Sequence, residues 1–236
     1  MGYEPMNESW QMAGERHETL GQYVAKTYLW MFAGLLVTFG IALAGYVTGA
    51  ILYVFQVPYA TLALTGLELL TVIWLSARIH KLSVGAARGL FLFYAALNGV
   101  VFSMYFLIFG VVEMVFVFAA TALFFGMMAG VSLIFKLDLS GIRPLLVGGL
   151  MFLILFGVLS MFLNLGGFET VLCYAGIVVF LGFTAYDTTK IRDNYQIFSA
   201  DPELLQKASV FSALQLYLDF INLFLYIIRL MNRNRK

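Results

Sequence analysis

Hydrophobic positions dominate this chain, and the informative signal is where the polar ones interrupt them. Seven long apolar runs, residues 24–49, 53–77, 86–109, 111–135, 144–163, 170–186 and 208–230, alternate with short polar or charged connections. A helix needs about 20 mostly apolar residues to cross the hydrocarbon of a bilayer, and each run approaches or exceeds that length. The pattern therefore predicts an all-α integral membrane protein. It divides into a polar segment at 1–23, a bundle of seven transmembrane helices at 24–230 and a basic tail at 231–236. Neither a low-complexity linker nor an internal repeat divides the bundle, so one compact unit is expected rather than an inverted-repeat transporter.

The last run, "SALQLYLDFINLFLYIIRL", is not uniformly apolar. Ser212, Gln215, Asp219, Asn222, Tyr226 and Arg229 follow one another at spacings of three, four, three, four and three. At about 100° per residue these six share one arc of a helix, while leucine, isoleucine and phenylalanine cover the rest. Lipid cannot satisfy such a stripe, so it must face other helices or water inside the bundle. For Ser212, Gln215 and Asn222, interhelical hydrogen bonding accounts for the pattern without any further role. Asp219 is different: an amide would supply the same bonds without the cost of burying a charge, about 2.5 to 3.5 kcal/mol on insertion scales.

Composition agrees with the pattern. Of 236 residues, 62% are hydrophobic and 11% charged, and the mean hydropathy is +0.91, against roughly 25% charged in soluble domains. A net charge of +1 offers no basic field for a nucleic-acid backbone. The single cysteine, Cys173, excludes an intrachain disulfide and a cysteine-pair zinc site. His17 and His80 both lie outside the apolar runs and read as solvated or interfacial. The opening "MGYEPMNESWQMAGERHETLGQY" lacks the order of a cleavable signal peptide, so the first run is expected to serve as its own signal.

Basic residues settle the expected orientation. Arg78, Lys81 and Arg88 lie between runs two and three, Lys136 and Arg143 between four and five, and Lys190, Arg192 and Lys207 between six and seven; the alternate connections have none. By the positive-inside rule those loops and the amino terminus are cytoplasmic. Seven crossings then place the tail "RLMNRNRK" outside despite its charge. A re-entrant last segment would return it; a full span is the expectation, because the run is long enough and the earlier bias is unbroken.

That orientation gives Asp219 its candidate partners. Asp187 ends run six in "GFTAYDTTKIRDNY" and Arg78 ends run two in "WLSARIHKLS", both on the side from which run seven starts. Two nearby carboxylates share a proton readily, and an arginine opposes that, so the three can titrate together near neutral pH. Asp187 can also be read simply as a headgroup-zone residue beside Lys190. Glu68, in "LTGLELLTV", is about 15 Å from Arg78 along a helix and so near mid-membrane, where it either bonds a neighbouring helix or lines a cation path. Asn222 is the other candidate for such a path. Glu113 and Glu169 read as solvated loop charges.

"GFTAYDTTKIR" and "LYLDFINLF", together with the run pattern, the glutamate on run two and its basic end, resemble the transmembrane Bax inhibitor motif family, bacterial branch. The resemblance covers nearly the whole chain. It implies six helices surrounding a central seventh, and a pH-sensitive calcium leak channel in the plasma membrane rather than an enzyme. It assigns the pH sensor to Asp187 and Asp219 and a latch to Arg78, within a register slip of one residue because "SARIHK" has a single arginine. It implies calcium as the transported ion, with no resident cofactor or tightly bound metal, and passing cation contact at Asp187 and Asp219. Besides membrane lipid, it points to a membrane-bound ATP-dependent protease as a partner. Calcium prefers six to eight oxygen ligands, so a few acids suit a passing site. Competing readings are a non-conducting regulator of that protease and a proton-coupled cation transporter. An intramembrane aspartyl protease is disfavoured, because "LQLYLD" lacks the glycine-x-glycine-aspartate approach and the proline-alanine-leucine motif is absent.

Overall fold

A computed structural model of the chain describes residues 18–78, 81–135, 138–162 and 168–233. His17, His80, Lys136 and most of the polar segment at 1–23 lie outside the described residues, as do residues 234–236 of the tail. The described residues form seven α-helices: α1 (Leu20–Val47), α2 (Ala50–Gln56), α3 (Ala60–Arg78), α4 (Val84–Phe135), α5 (Arg143–Phe162), α6 (Glu169–Phe198) and α7 (Pro202–Arg233). Five of them, α1, α4, α5, α6 and α7, are long and apolar enough to cross a membrane.

Local chemistry marks the helix starts. Thr19 and Gln22 form a reciprocal capping box at α1, with Thr19 Oγ1 accepting from the Gln22 amide and the Gln22 side chain accepting from the Thr19 amide. Asp201 Oδ1 accepts from the amides of Glu203 and Leu204, and Pro202 takes the first position of α7, where no amide hydrogen is needed.

Helix α4 is interrupted at a single residue, Gly110. Gly110 has φ 79° and ψ 166°, a conformation that side chains other than glycine's essentially exclude. Phe102 and Phe118 both pack on Phe39, with ring centroids 5.8 and 4.6 Å away. Sixteen positions along a straight helix would hold them about 24 Å apart. The chain therefore doubles back at Gly110 into two arms, residues 84–109 and 111–135. Polar contacts at both ends agree: Arg88 donates to Gln206 Oε1 at 3.1 Å and Arg192 donates to the Leu133 carbonyl at 3.5 Å. The boundary drawn between the third and fourth apolar runs falls on that glycine.

The two ends of the bundle can be told apart by contacts. At the near end the Tyr195 hydroxyl on α6 donates to the Glu18 carbonyl just before α1, 2.7 Å away. At the far end Arg233 on α7 meets Glu169 at the start of α6, 2.6 Å away. The chain enters the bundle at one end and leaves it at the other. Helix α7 runs unbroken for 32 residues, about 48 Å at 1.5 Å per residue, and does not fold back on itself.

Of the five long helices α7 is the most buried. It packs against α1, α4 and α6, while α3 packs chiefly on α4 and α5 chiefly on α6. Helices α6 and α7 also extend well past the apolar runs 170–186 and 208–230 that predicted them. Apolar runs report hydrocarbon depth, whereas these helices continue because their polar ends pair with each other and with the start of α1.

Candidate functional site

Three contacts at seven-residue steps define the seam between α6 and α7. Asn194 donates to Ser212 Oγ at 3.0 Å. The carboxyls of Asp187 and Asp219 face each other within hydrogen-bonding reach. Phe180 stacks on Tyr226 at 5.8 Å between centroids. On α6 the positions descend 194, 187, 180 while on α7 they rise 212, 219, 226, the register of two antiparallel helices sharing a heptad seam. Close approach is secured at Gly176, where a Cβ would lie 2.5 Å from the Tyr226 ring. The polar stripe read on the last run is thus the surface that meets α6.

The central contact is unusual chemistry for a protein interior. Two carboxylates contain no donor, so a bond between them holds a proton. Asp187 is 6% exposed and Asp219 5%, and Oδ2 of Asp219 is buried without a donor among the described residues. Around the pair, Tyr28 on α1 bonds Thr188 Oγ1 at 3.0 Å and lies within reach of the Asp219 charge. The cations whose charge reaches Asp187 are Arg143, at the start of α5, and Lys190, one turn further on α6. Lys190 also bonds Asp193 at 2.8 Å and sits over the Tyr186 ring.

Sequence reasoning placed Asp187 at a helix end in the headgroup zone or opposite Asp219. It is buried mid-helix, with about three further turns after it. Arg78 is not brought to the pair: it is exposed at the last residue of α3 and forms no ion pair among the described residues. Loop charges fix the depth of a residue but not the side of the bundle on which its helix packs, and α3 packs outside α4. Asn222 donates to the Leu218 carbonyl of its own helix at 2.8 Å and is half-buried. Glu68, also half-buried, keeps Oε1 buried without a partner among the described residues, its charge reaching Tyr94 and Tyr217 rather than the aspartates. Glu169 is solvent-exposed as expected, but at the first residue of α6, where it pairs with Arg233.

Tyr28, Thr188 and Arg143 escaped the sequence reading as members of the site. Thr188 had a signal, since it follows Asp187 on the same helix; the approach of Tyr28 from α1 had none. Among the described residues no three histidine, cysteine, aspartate or glutamate side chains converge on a metal-sized site. A cation at the seam would meet two carboxylates and little else from acidic side chains.

An all-helical membrane protein with a paired carboxyl at its most buried helix is the class that fold and site define. The family profile described as "Inhibitor of apoptosis-promoting Bax1" matches residues 20–236, and the chain belongs to this Bax inhibitor-1-like family. It is 36% identical over 218 residues to the inner membrane protein YbhL of Escherichia coli K12, covering 92% of this chain and 93% of that one. Uncharacterized proteins of Deinococcus radiodurans and Borreliella burgdorferi are 33% and 32% identical, each over 94% of this chain and over 96% and 97% of their own.

Proposed function

We propose that this chain is a multi-pass protein of a bacterial cytoplasmic membrane, with a cytoplasmic amino terminus, that leaks calcium under control of a proton held between Asp187 and Asp219. The reading takes the two arms of α4 as separate crossings, giving seven, with α7 at the centre. Entry and exit at opposite ends require an odd number, and α7 has the greatest burial.

The observation that carries the proposal is the juxtaposition of two buried carboxyls, within hydrogen-bonding reach, on the seam between the two most buried long helices. With a proton between them, the acids tie α6 to α7 and need no cation. Once it leaves, two carboxylates face each other away from water, where their repulsion is weakly screened. They then demand positive charge from a passing cation or a basic side chain. Arg78 ends α3, a helix held mainly by α4, and inward movement of α3 would bring its planar fork toward both acids. Proton binding would release it. In this reading acid favours the open mouth, with Arg78 outside as it stands here.

Flux from proteoliposomes containing the pure protein, followed against pH for calcium, potassium and protons, tests it. Calcium flux should rise as pH falls through neutrality, and Asp219→Asn should flatten that response while leaving the protein folded, since the amide keeps the shape but cannot ionise. A pH curve unchanged by the substitution would falsify the sensor. Calcium movement that occurs only with proton counter-flow would make the protein a carrier instead.

A further inference from the structure

At the far end, away from the aspartates, a cavity of about 590 Å³ opens between α5, α6 and α7. Its lining changes character with depth. Leu153 and Gly157 on α5, with Leu172 on α6, form an apolar wall, while Ser160, Glu169, Arg229, Asn232 and Arg233 gather toward the helix ends. From Leu153 to Ser160 is about 10 Å along α5. Arg233 is engaged by Glu169 at 2.6 Å. Arg229 is not: it is exposed, its described contact is its guanidinium 5.6 Å from the Tyr226 ring centre, and no described residue accepts a hydrogen bond from it. Among the described residues, two arginines and one glutamate leave the lining one positive charge in excess.

We infer that this cavity binds the phosphodiester of a membrane glycerophospholipid, with Arg229 as the principal ligand. Three features converge on that chemistry. The ends of membrane-spanning helices lie at the depth of lipid phosphates. A guanidinium presents paired donors that match phosphate oxygens, and Ser160 and Asn232 add neutral donors beside it. A single excess positive charge balances the single negative charge of a phosphodiester, and the apolar wall below suits the first methylenes of an acyl chain. The site also answers an anomaly of the chain: its last helix carries arginines to the end where the charge bias of the other loops disfavours them, and an anionic headgroup there compensates them. Nothing in this inference depends on ion conduction.

Native mass spectrometry of the full chain in detergent tests it with four probes: phosphatidylglycerol, phosphatidylcholine and diacylglycerol of the same acyl chains, and inorganic phosphate. Phosphatidylglycerol should form a one-to-one adduct, phosphatidylcholine a weaker one and diacylglycerol none. Arg229→Gln should weaken the phosphatidylglycerol adduct roughly tenfold or more, and Arg229→Lys should retain part of it. Since Arg229 is exposed, neither change threatens folding, and Arg192→Gln at the opposite end should leave the adduct intact. The inference is overturned if diacylglycerol binds as well as phosphatidylglycerol, or if Arg229→Gln binds like the wild type. Displacement of the lipid by millimolar inorganic phosphate overturns the lipid assignment in favour of a free-anion site.

Discussion

The two faces of α7 are built from different chemistry. Toward α6 it presents Ser212, Asp219 and Tyr226, each meeting one partner at a seven-residue step. Toward α1 and α4 it presents Tyr217, Phe220 and Phe224, all at most 2% exposed, interleaved with Phe39, Phe91, Tyr94, Phe102, Phe118 and Phe125. Tyr217 adds one polar anchor, a 2.7 Å bond to Thr38 Oγ1, and Thr38 in turn donates within α1 and across to the Ala95 carbonyl on α4. The aromatic face makes many redundant contacts, and its geometry does not depend on pH. The seam toward α6 is the most extensive contact α7 makes, and at its centre it carries a pair of carboxyls that can bond each other only through a proton. One face is apolar and insensitive to pH; the other has a titratable pair at its middle.

Substitutions can break this division. The largest effect expected is loss of pH control, complete in Asp187→Asn as in Asp219→Asn, with the double variant adding nothing because the two acids titrate as a unit. Two partial shifts that sum in the double variant, read in the same flux assay, would mean two independent acids. On the aromatic face Tyr217→Ala should cost on the order of 3 to 5 kcal/mol, the usual range for deleting a buried ring, measured as unfolding in mixed detergent. Its flux, where the protein survives, should keep its pH midpoint. Tyr217→Phe should cost only about 1 kcal/mol, the value of one hydrogen bond.

Gly176→Val tests the seam directly, because the new Cβ meets the Tyr226 ring. A loss of about 1 to 3 kcal/mol is expected for overpacking there, together with a moved pH midpoint, since α6 must shift away from Asp219. Arg78 follows. If it closes over the ionised pair, Arg78→Ala should raise flux at neutral pH and Arg78→Lys should restore control only in part; Arg143→Gln, applied to the cation that already reaches Asp187, should then change less. Full replacement by lysine, with the midpoint unmoved, would reduce Arg78 to an anchor at the end of α3.

The smallest effect concerns Asp138, between α4 and α5. Its carboxylate accepts from the Ser140 hydroxyl and amide, which hold its pKa below the ordinary 3.8. A depressed folded value means the contribution is present above the unfolded pKa and lost as pH falls through the folded one. Ser140→Ala should therefore weaken the protein slightly at neutral pH and not at all in strong acid, seen as unfolding curves that converge there.

Much of this arrangement was legible in the residues. Six of the seven apolar runs fall chiefly on single helical stretches because the bilayer sets their length, whereas the second, residues 53–77, is divided between α2 and α3 at residues 57–59; the turn between the third and fourth was visible as a glycine flanked by two apolar runs. The stripe on α7 was legible because a helix fixes which residues share a face. Pairing of Asp187 with Asp219 followed from depth plus that face. What could not be read was position around the axis for the other helices: Arg78 ends its helix as the sequence indicated, but nothing in its loop says that α3 lies outside α4. For the same reason Tyr28 stayed hidden, since contact between α1 and α6 is a property of the assembled bundle. The helices also outrun their apolar cores, and this moved Asp187 from an end to a middle.

Gly110 has a consequence for how the protein is made. The turn there offers the insertion machinery a single residue outside helical geometry between two largely apolar arms, with Glu113 the nearest charge. On the proposed topology, with no longer loop between them, the two arms would enter the bilayer together as one helical hairpin, a single unit of biogenesis.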